Sequence, residues 1–224
     1  SKFNLLFFSI LFDTPPKIDS KDVSEALNSK KKWFPYNKGG AYRKWYGNIS
    51  LVIKDDSKSR DLLKNTGNHC ASEDCYFKEA MTWTDLTSGN LGARFLPRGN
   101  IFDIAGHCAY PVMENGHILA LGMFNTKFIN KISTVINATM HFQPGDFRKL
   151  PFPKIFNNSD IVIDLVRKCI GLAKLDWDSY ETSWDFTKNP IIRTHQPNLE
   201  QAFSTWEQQN ADAVAEMKRL EEEN

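Results

Sequence analysis

Residues 32–48 hold the densest binding chemistry in the sequence. Trp33, Tyr36, Tyr42, Trp45 and Tyr46 alternate there with Lys32, Lys38, Arg43 and Lys44, and Asn37, Gly39 and Gly40 lie between them. Lysine, arginine and backbone N–H groups hold phosphate oxygens, and glycine lets a backbone approach closely. Arginine, lysine and asparagine also read base edges, while aromatic rings stack on bases or wedge into base steps. A polyanion carrying bases suits all these types at once. The competing reading is packing, because loop aromatics often anchor an irregular segment onto a core. The expected division gives Trp33, Phe34, Trp45 and Tyr46 mainly to packing. Lys38, Arg43 and Lys44 are left to face the polyanion.

Two other constellations are weaker. His69-Cys70, Cys75 and His107-Cys108 offer the right donor types for zinc. However, Cys70 and Cys75 lack the tight pairing of a zinc ribbon, and His107 and Cys108 are adjacent in sequence. Neighbouring strand residues point to opposite faces, so buried free thiols are the expected outcome. Asp103 and Glu114 stand alone and form no nuclease-like acidic cluster.

Composition sets the frame for these residues. The 224-residue chain is 41% apolar and 25% charged, ordinary values for a globular protein and unlike those of a disordered one. Four cysteines in this length are no disulfide scaffold. The apolar run at 2–12 is broken by Asn4 and Ser9 and is shorter than the roughly 20 residues a bilayer span needs. It reads as a buried strand, and no secretory signal is evident. The expectation is a soluble, reduced, cytoplasmic protein without membrane contact. Ser1 in place of Met, and a C-terminus inside a charged helix, point to an excised or truncated chain.

The net charge of +1 hides an asymmetry. Residues 30–98 carry thirteen Lys or Arg against seven Asp or Glu, whereas residues 161–224 carry seven against twelve. A basic part beside an acidic one suits a polyanion-binding face with a separate partner-facing or solvated tail. The alternative is that these charges are simply scattered over a surface.

The elements that must position these residues follow from periodicity and turn chemistry. Residues 3–12 predict a strand stopped by Pro15-Pro16, and 22–27 a short helix with Ser20 as N-cap. Residues 33–48 predict irregular loop with a short strand at 44–46. A strand is expected at 49–53 and a helix at 57–64, stopped by Thr66-Gly67-Asn68. Runs at 81–84, 93–96 and 101–104, separated by Ser88-Gly89-Asn90 and Pro97-Arg98-Gly99-Asn100, predict a small antiparallel meander. Residues 117–123 are apolar and fit a helix or a strand. Residues 125–137 show a helical apolar face, Pro144-Gly145-Asp146 a turn, and 150–153 no regular structure. Helices are expected at 160–175 and 199–223, with an aromatic loop or broken helix at 176–190. The fold class is α+β (mixed), a small antiparallel or mixed sheet flanked by helices. Residues 1–156 form the α/β domain and 157–224 a helical C-terminal spacer or docking segment.

Several blocks carry a family resemblance. Lys32-Trp33-Phe34-Pro35-Tyr36-Asn37-Lys38-Gly39-Gly40 and its continuation Arg43-Lys44-Trp45-Tyr46-Gly47-Asn48 resemble a segment of the large adenine-specific DNA methyltransferases of BREX phage-defence systems, the PglX family. Tyr76–Thr84, Ser88-Gly89-Asn90 with Arg94-Phe95, Ile101-Phe102-Asp103-Ile104-Ala105-Gly106 and residues 176–186 are similar to further blocks of that family. Residues 120–127 and 147–153 resemble the helix and exit of target-recognition domains in single-chain restriction-modification enzymes. The resemblance implies a mixed α/β target-recognition domain whose catalytic domain, with its S-adenosylmethionine site, lies N-terminal to these blocks and outside this chain. The tetrapeptide that holds the target amine in such enzymes, Asp/Asn/Ser-Pro-Pro-aromatic, has no match. Asp13-Thr14-Pro15-Pro16-Lys17 has an inserted Thr and no aromatic.

The first expectation is therefore a domain that binds double-stranded DNA and positions an adenine for a catalytic domain of the parent chain. Lys38, Arg43, Lys44 and Lys32 would contact phosphate or guanine, with Gly39 and Gly40 at the backbone approach and Tyr36 and Asn37 near base edges. Thr82, Thr84, Ser88 and Asn90 would lie on the neighbouring turn, and Arg94 and Arg98 would extend the basic face. No cofactor is expected in this chain. A second expectation is a protein-interaction module in which Trp177, Trp184 and Trp206 dock the methyltransferase, another defence subunit or a phage protein that mimics DNA. A third, a small metal-dependent nuclease, lacks the grouping of acids it would need.

Overall fold

A computed structural model describes residues 23–28, 31–66, 72–86, 90–152 and 160–223. The expected strand at 3–12, the Ser20 cap, the Asp13–Lys17 segment, His69, Cys70 and Ser88 lie outside the described residues. Within them, eight α-helices and two three-stranded sheets give the α+β class expected. The chain opens with α1 (Val23–Asn28), β1 (Trp33–Asn37), β2 (Leu51–Lys54) and α2 (Ser57–Asn65). A 3-10 turn at Glu73–Cys75 leads into β3 (Ala80–Thr84), β4 (Ala93–Leu96), β5 (Ile101–Phe102) and β6 (Gly106–Ala109). Then come α3 (Gly116–Phe124), α4 (Lys127–Ile136), α5 (Pro144–Phe147), α6 (Asp160–Trp177), α7 (Pro190–Arg193) and α8 (Leu199–Glu223).

Helix starts follow local chemistry. Asp56 caps α2 by accepting from Ser59 N at 2.8 Å, and Thr126 caps α4 by accepting from Ile129 N at 3.2 Å. Helix α3 is buried along nearly its whole length, which is why residues 117–123 lack a polar face.

The sheets depart from the expected meander. β3 pairs antiparallel with β4, but the third run crosses to the other sheet, where β5 lies parallel to β1. β6 takes the vacant place beside β3, so the orders are β2-β1-β5 and β4-β3-β6. β1 itself falls where irregular loop was expected. Its Pro35 faces Val52 of β2, and β5 joins β1 only at Tyr36 and Asn37. Among the described residues no strand therefore stands beside Pro35 on the β5 flank to require the missing N–H.

The two faces of the β3 sheet are covered differently. Trp83 stacks on Phe147 at 5.1 Å and packs against Phe124, while its Nε1 donates to Phe142 O at 2.8 Å. The opposite face, carrying Thr82, Arg94 and Cys108, meets the end of β1. Trp45 closes the open edge of β4: its N donates to Ala93 O and its O accepts from Phe95 N, each at 2.8 Å. Covering an edge strand this way removes a site for unwanted strand pairing. A smaller core of Ala26, Phe34, Tyr76, Phe77 and Ile101 lies under the β1 sheet.

The C-terminal helices share the main core. Val166, Cys169, Ala173 and Trp177 of α6 and Leu220 of α8 are buried in the cluster that holds Met81, Trp83 and Leu121. The segment expected as a spacer is thus packed as part of the fold. No described helix is long and apolar enough to cross a membrane. Leu220 is fully buried whereas Leu175 is two-thirds exposed. Leu220→Ala should cost about 2–5 kcal/mol in urea denaturation, and Leu175→Ala less than about 0.5 kcal/mol.

Candidate nucleic-acid interface

The end of β1 is fastened to the β3 sheet by a buried amide. Asn37 Nδ2 donates to Thr82 Oγ1 at 2.7 Å and to Gly106 O at 3.3 Å, and Thr82 Oγ1 donates to His107 O at 2.8 Å. The backbones come so close that a Cβ on Gly106 would stand 2.7 Å from Asn37 O. Gly39 then turns with φ +82, and a Cβ there would meet Ala105 O at 2.9 Å. The turn rests on Thr84, whose hydroxyl donates to Gly40 O at 3.1 Å. Lys38 stands exposed on this turn with no ion-pair partner among the described residues.

Arg94 lies beneath this turn. It was expected to extend an exposed basic face, but only 1% of it is exposed. Its strand is covered on both sides, so alternation along Ala93-Arg94-Phe95-Leu96 does not bring Arg94 to solvent. The fully buried Leu96 shares its face and is the signal that this face is covered. The guanidinium makes one hydrogen bond, Nη2 to Thr84 Oγ1 at 3.3 Å, and Nε has no partner. Burial lowers its pKa to about 10, and the nearby Arg43 pushes the same way.

Arg43 and Lys44 turn toward the acidic tail. Arg43 Nη1 pairs with Asp176 Oδ2 at 2.8 Å, and its Cζ lies 5.1 Å from the Trp177 ring centre. Lys44 Nζ pairs with Glu221 Oε1 at 3.1 Å, and the same oxygen accepts from Trp45 Nε1 at 2.7 Å. The two cations expected to face a polyanion are already engaged, and the charge asymmetry closes partly inside the chain. Phe34, Trp45 and Tyr46 are buried, whereas Tyr42 is exposed. Tyr42 stays near the turn, because its ring lies 3.0 Å from where a Gly92 Cβ would sit.

The remaining expected residues spread out. Asn37, Lys38, Gly39, Gly40, Thr82, Thr84 and Arg94 come together, but Asn37, Thr82 and Arg94 are buried within the join and not on its surface. Asn90 is exposed on the approach to β4. Lys32 lies at the other end of β1. Arg98 lies at the start of β3, where its Nε stands 3.6 Å from Glu79. Tyr36 donates its hydroxyl to Asp103, and burial together with that carboxylate pushes the phenol pKa well up.

One cluster beside Thr84 had no motif to announce it. Asp85 holds His107 Nε2 at 3.1 Å and His141 Nδ1 at 2.8 Å, and also accepts from Gln143. Burial raises the Asp85 carboxyl, but the bonds from His141 and His107 outweigh it and hold the pKa below its usual 3.8. Among the described residues, no group of three or more His, Cys, Asp or Glu is arranged to hold a metal ion. Cys108, beside Asn37, is a free thiol whose pKa burial raises to about 11.

No family model matches the chain. It is 35% identical over 195 residues to the adenine-specific methyltransferase BrxX of Escherichia coli O9:H4 (strain HS), a match covering 85% of this chain and 16% of that protein. It is 33% identical over 219 residues to the adenine-specific methyltransferase PglX of Lacticaseibacillus casei (strain Zhang), covering 92% of this chain and 18% of that protein. The chain thus spans about a sixth of the length of these curated relatives, and the resemblance read from its motifs holds.

Two outcomes follow from the buried charges. Arg60, 4% exposed, is paired with Asp55 and Glu73. Arg60→Met strands two carboxylates and should cost about 3–5 kcal/mol, whereas Arg94→Met removes an unpaired charge and should cost under about 1 kcal/mol or stabilise. Equal losses in urea denaturation would make Arg94 a structural residue like Arg60. The lowered carboxyl of Asp85 contributes stability that is fully present above pH 3.8 and lost as the pH falls through its folded pKa. Asp85→Asn should flatten this part of the acid-unfolding curve, measured as urea midpoint against pH.

Proposed function

We propose, from the premise that this chain is homologous to a segment of the BREX adenine-specific methyltransferases, that it recognises duplex DNA and leaves methyl transfer to residues outside it. The observation that carries this reading is the glycine turn at Lys38-Gly39-Gly40. It holds a lysine without an ion-pair partner among the described residues on a rigid two-sheet support, with the Thr84 hydroxyl beneath it. A lysine on a fixed turn meets a phosphate, and the backbone N–H groups of a glycine turn can add hydrogen bonds to it. The partner is double-stranded DNA, and the catalytic domain acts on an adenine this surface helps to position.

The described residues do not suit S-adenosylmethionine. The strand-to-helix connections are Asp55-Asp56 before α2 and residues 110–115 before α3. Both lack the glycine turn that cradles such a cofactor, and the first is acidic.

Arg43 and Lys44 serve a different purpose in this reading: they fasten the loop to α6 and α8, so that Lys38 is presented at a fixed height. Lys38→Ala should weaken binding of a short duplex and reduce the log–log salt slope by about 0.9 in fluorescence anisotropy. Arg43→Ala with Lys44→Ala should change that slope less than Lys38→Ala does. If the chain fails to bind duplex at low salt, or Lys38→Ala leaves the slope unchanged, DNA recognition by this surface is excluded.

A further inference from the structure

We infer that Arg94 is the base of an oxyanion-receiving site under the Lys38–Gly40 turn, one that takes a phosphate-type group against the free donors of its guanidinium, beside the Thr84 hydroxyl. This goes beyond the DNA-recognition reading, since it rests on Arg94's own surroundings.

The two buried arginines of the molecule make the contrast. Arg60 is surrounded as a structural arginine is, with Asp55 and Glu73 on its guanidinium. Arg94 is at least as buried, yet it has no carboxylate partner among the described residues. Among the described residues it uses one of its five N–H donors, whereas Arg60 uses two, both on carboxylates; the Nε of each is without a partner. A buried charge without a partner is costly, and proteins retain one where something else supplies the counter-charge. Besides burial, the groups that act on its charge are the Cys108 thiol, which burial keeps protonated at neutral pH, and a second cation, Arg43, so neither supplies a formal negative charge.

What surrounds Arg94 suits an oxyanion. Thr84 is only partly buried, and its hydroxyl accepts from the guanidinium while donating to Gly40 O, so a ligand oxygen would take that proton in place of the Gly40 carbonyl. The roof is the Gly39-Gly40 turn, with φ +82 and +128, which brings backbone and not side chain over the site. Lys38 on the roof adds a cation at the approach. A planar guanidinium fork with a hydroxyl and a lysine is a set that holds phosphate oxygens in two or three directions. The shared chemistry is the phosphate group, which either free phosphate or a duplex backbone can supply.

The test follows the Arg Nε–H resonances of the full chain, labelled on arginine, during two titrations at constant ionic strength. One uses inorganic phosphate against sodium chloride, and the other a short duplex. The Arg94 signal is identified by its loss in Arg94→Met. Should that variant not fold, Thr84→Val identifies the signal by shifting it, and it should weaken the phosphate response by about tenfold, the scale of a hydrogen bond to a charged group. A saturable shift with both ligands supports the site with the duplex backbone as its source. A shift with phosphate alone supports a site for a free oxyanion. No saturable shift with either overturns the proposal. Anisotropy on the same duplex separates the two readings: wild-type binding without an Arg94 shift sinks only this inference, and absent binding sinks only DNA recognition.

Discussion

The contact on which the rest depends is the buried bond from Asn37 to Thr82. It joins the last residue of β1 to the central strand of the other sheet, in a place where neither backbone leaves room for a Cβ on Gly106. A buried N–H is costly unless it is bonded, and Asn37 Nδ2 meets its acceptors only here while Oδ1 is left without a partner, so this join has one favourable register and tolerates little sliding. Everything that gives the surface its chemistry hangs from it. Lys38 follows directly, the glycine turn settles on Thr84, and Arg94 is sealed beneath.

How much of this was legible in the sequence differs by element. The helices with a clear apolar period were, as Ile129, Ile132 and Ile136 show, whereas residues 117–123 stayed open between helix and strand, and the one-turn helices α5, read as a turn, and α7 are too short to carry a period. The hairpin of β3 and β4 was too, since its two runs and its turn residues are local. The partner of Ile101-Phe102 was not. A strand two residues long carries no mark of which sheet it will join, and its buried Ile101 finds the β1 core only in three dimensions. β6 was missed because Gly-His-Cys-Ala has no β-branched residue. β1 was read as loop because Pro35 and the glycines behind it outweighed its aromatic alternation.

The site divides along the same line. The residue types around the turn were visible, but their depth was not. Alternation shows which face a strand residue takes, yet it does not show whether a second sheet covers that face, and this is what separates Arg94 from an exposed arginine. The engagement of Arg43 and Lys44 lies still further from reach. Asp176 and Glu221 sit 133 and 177 residues away in sequence, and nothing local couples them. Each such surface pair is worth at most about 1 kcal/mol. Their effect is geometric, fixing where the loop stands.

The bond from Trp45 Nε1 to Glu221 also has a meaning in time. It spans 176 residues, so during synthesis the indole edge and the outer rim of β4 wait for that length of chain before the carboxylate arrives. Loop closure over such a distance is slow, and long-range pairings are the last to be rewarded. The β3–β4 hairpin and the pair α3–α4 can form early from neighbouring residues. The aromatic loop reaches its final seat only when α8 lands. The surface that carries Lys38 thus settles later than these local pairs, and a chain without α8 holds it unsettled.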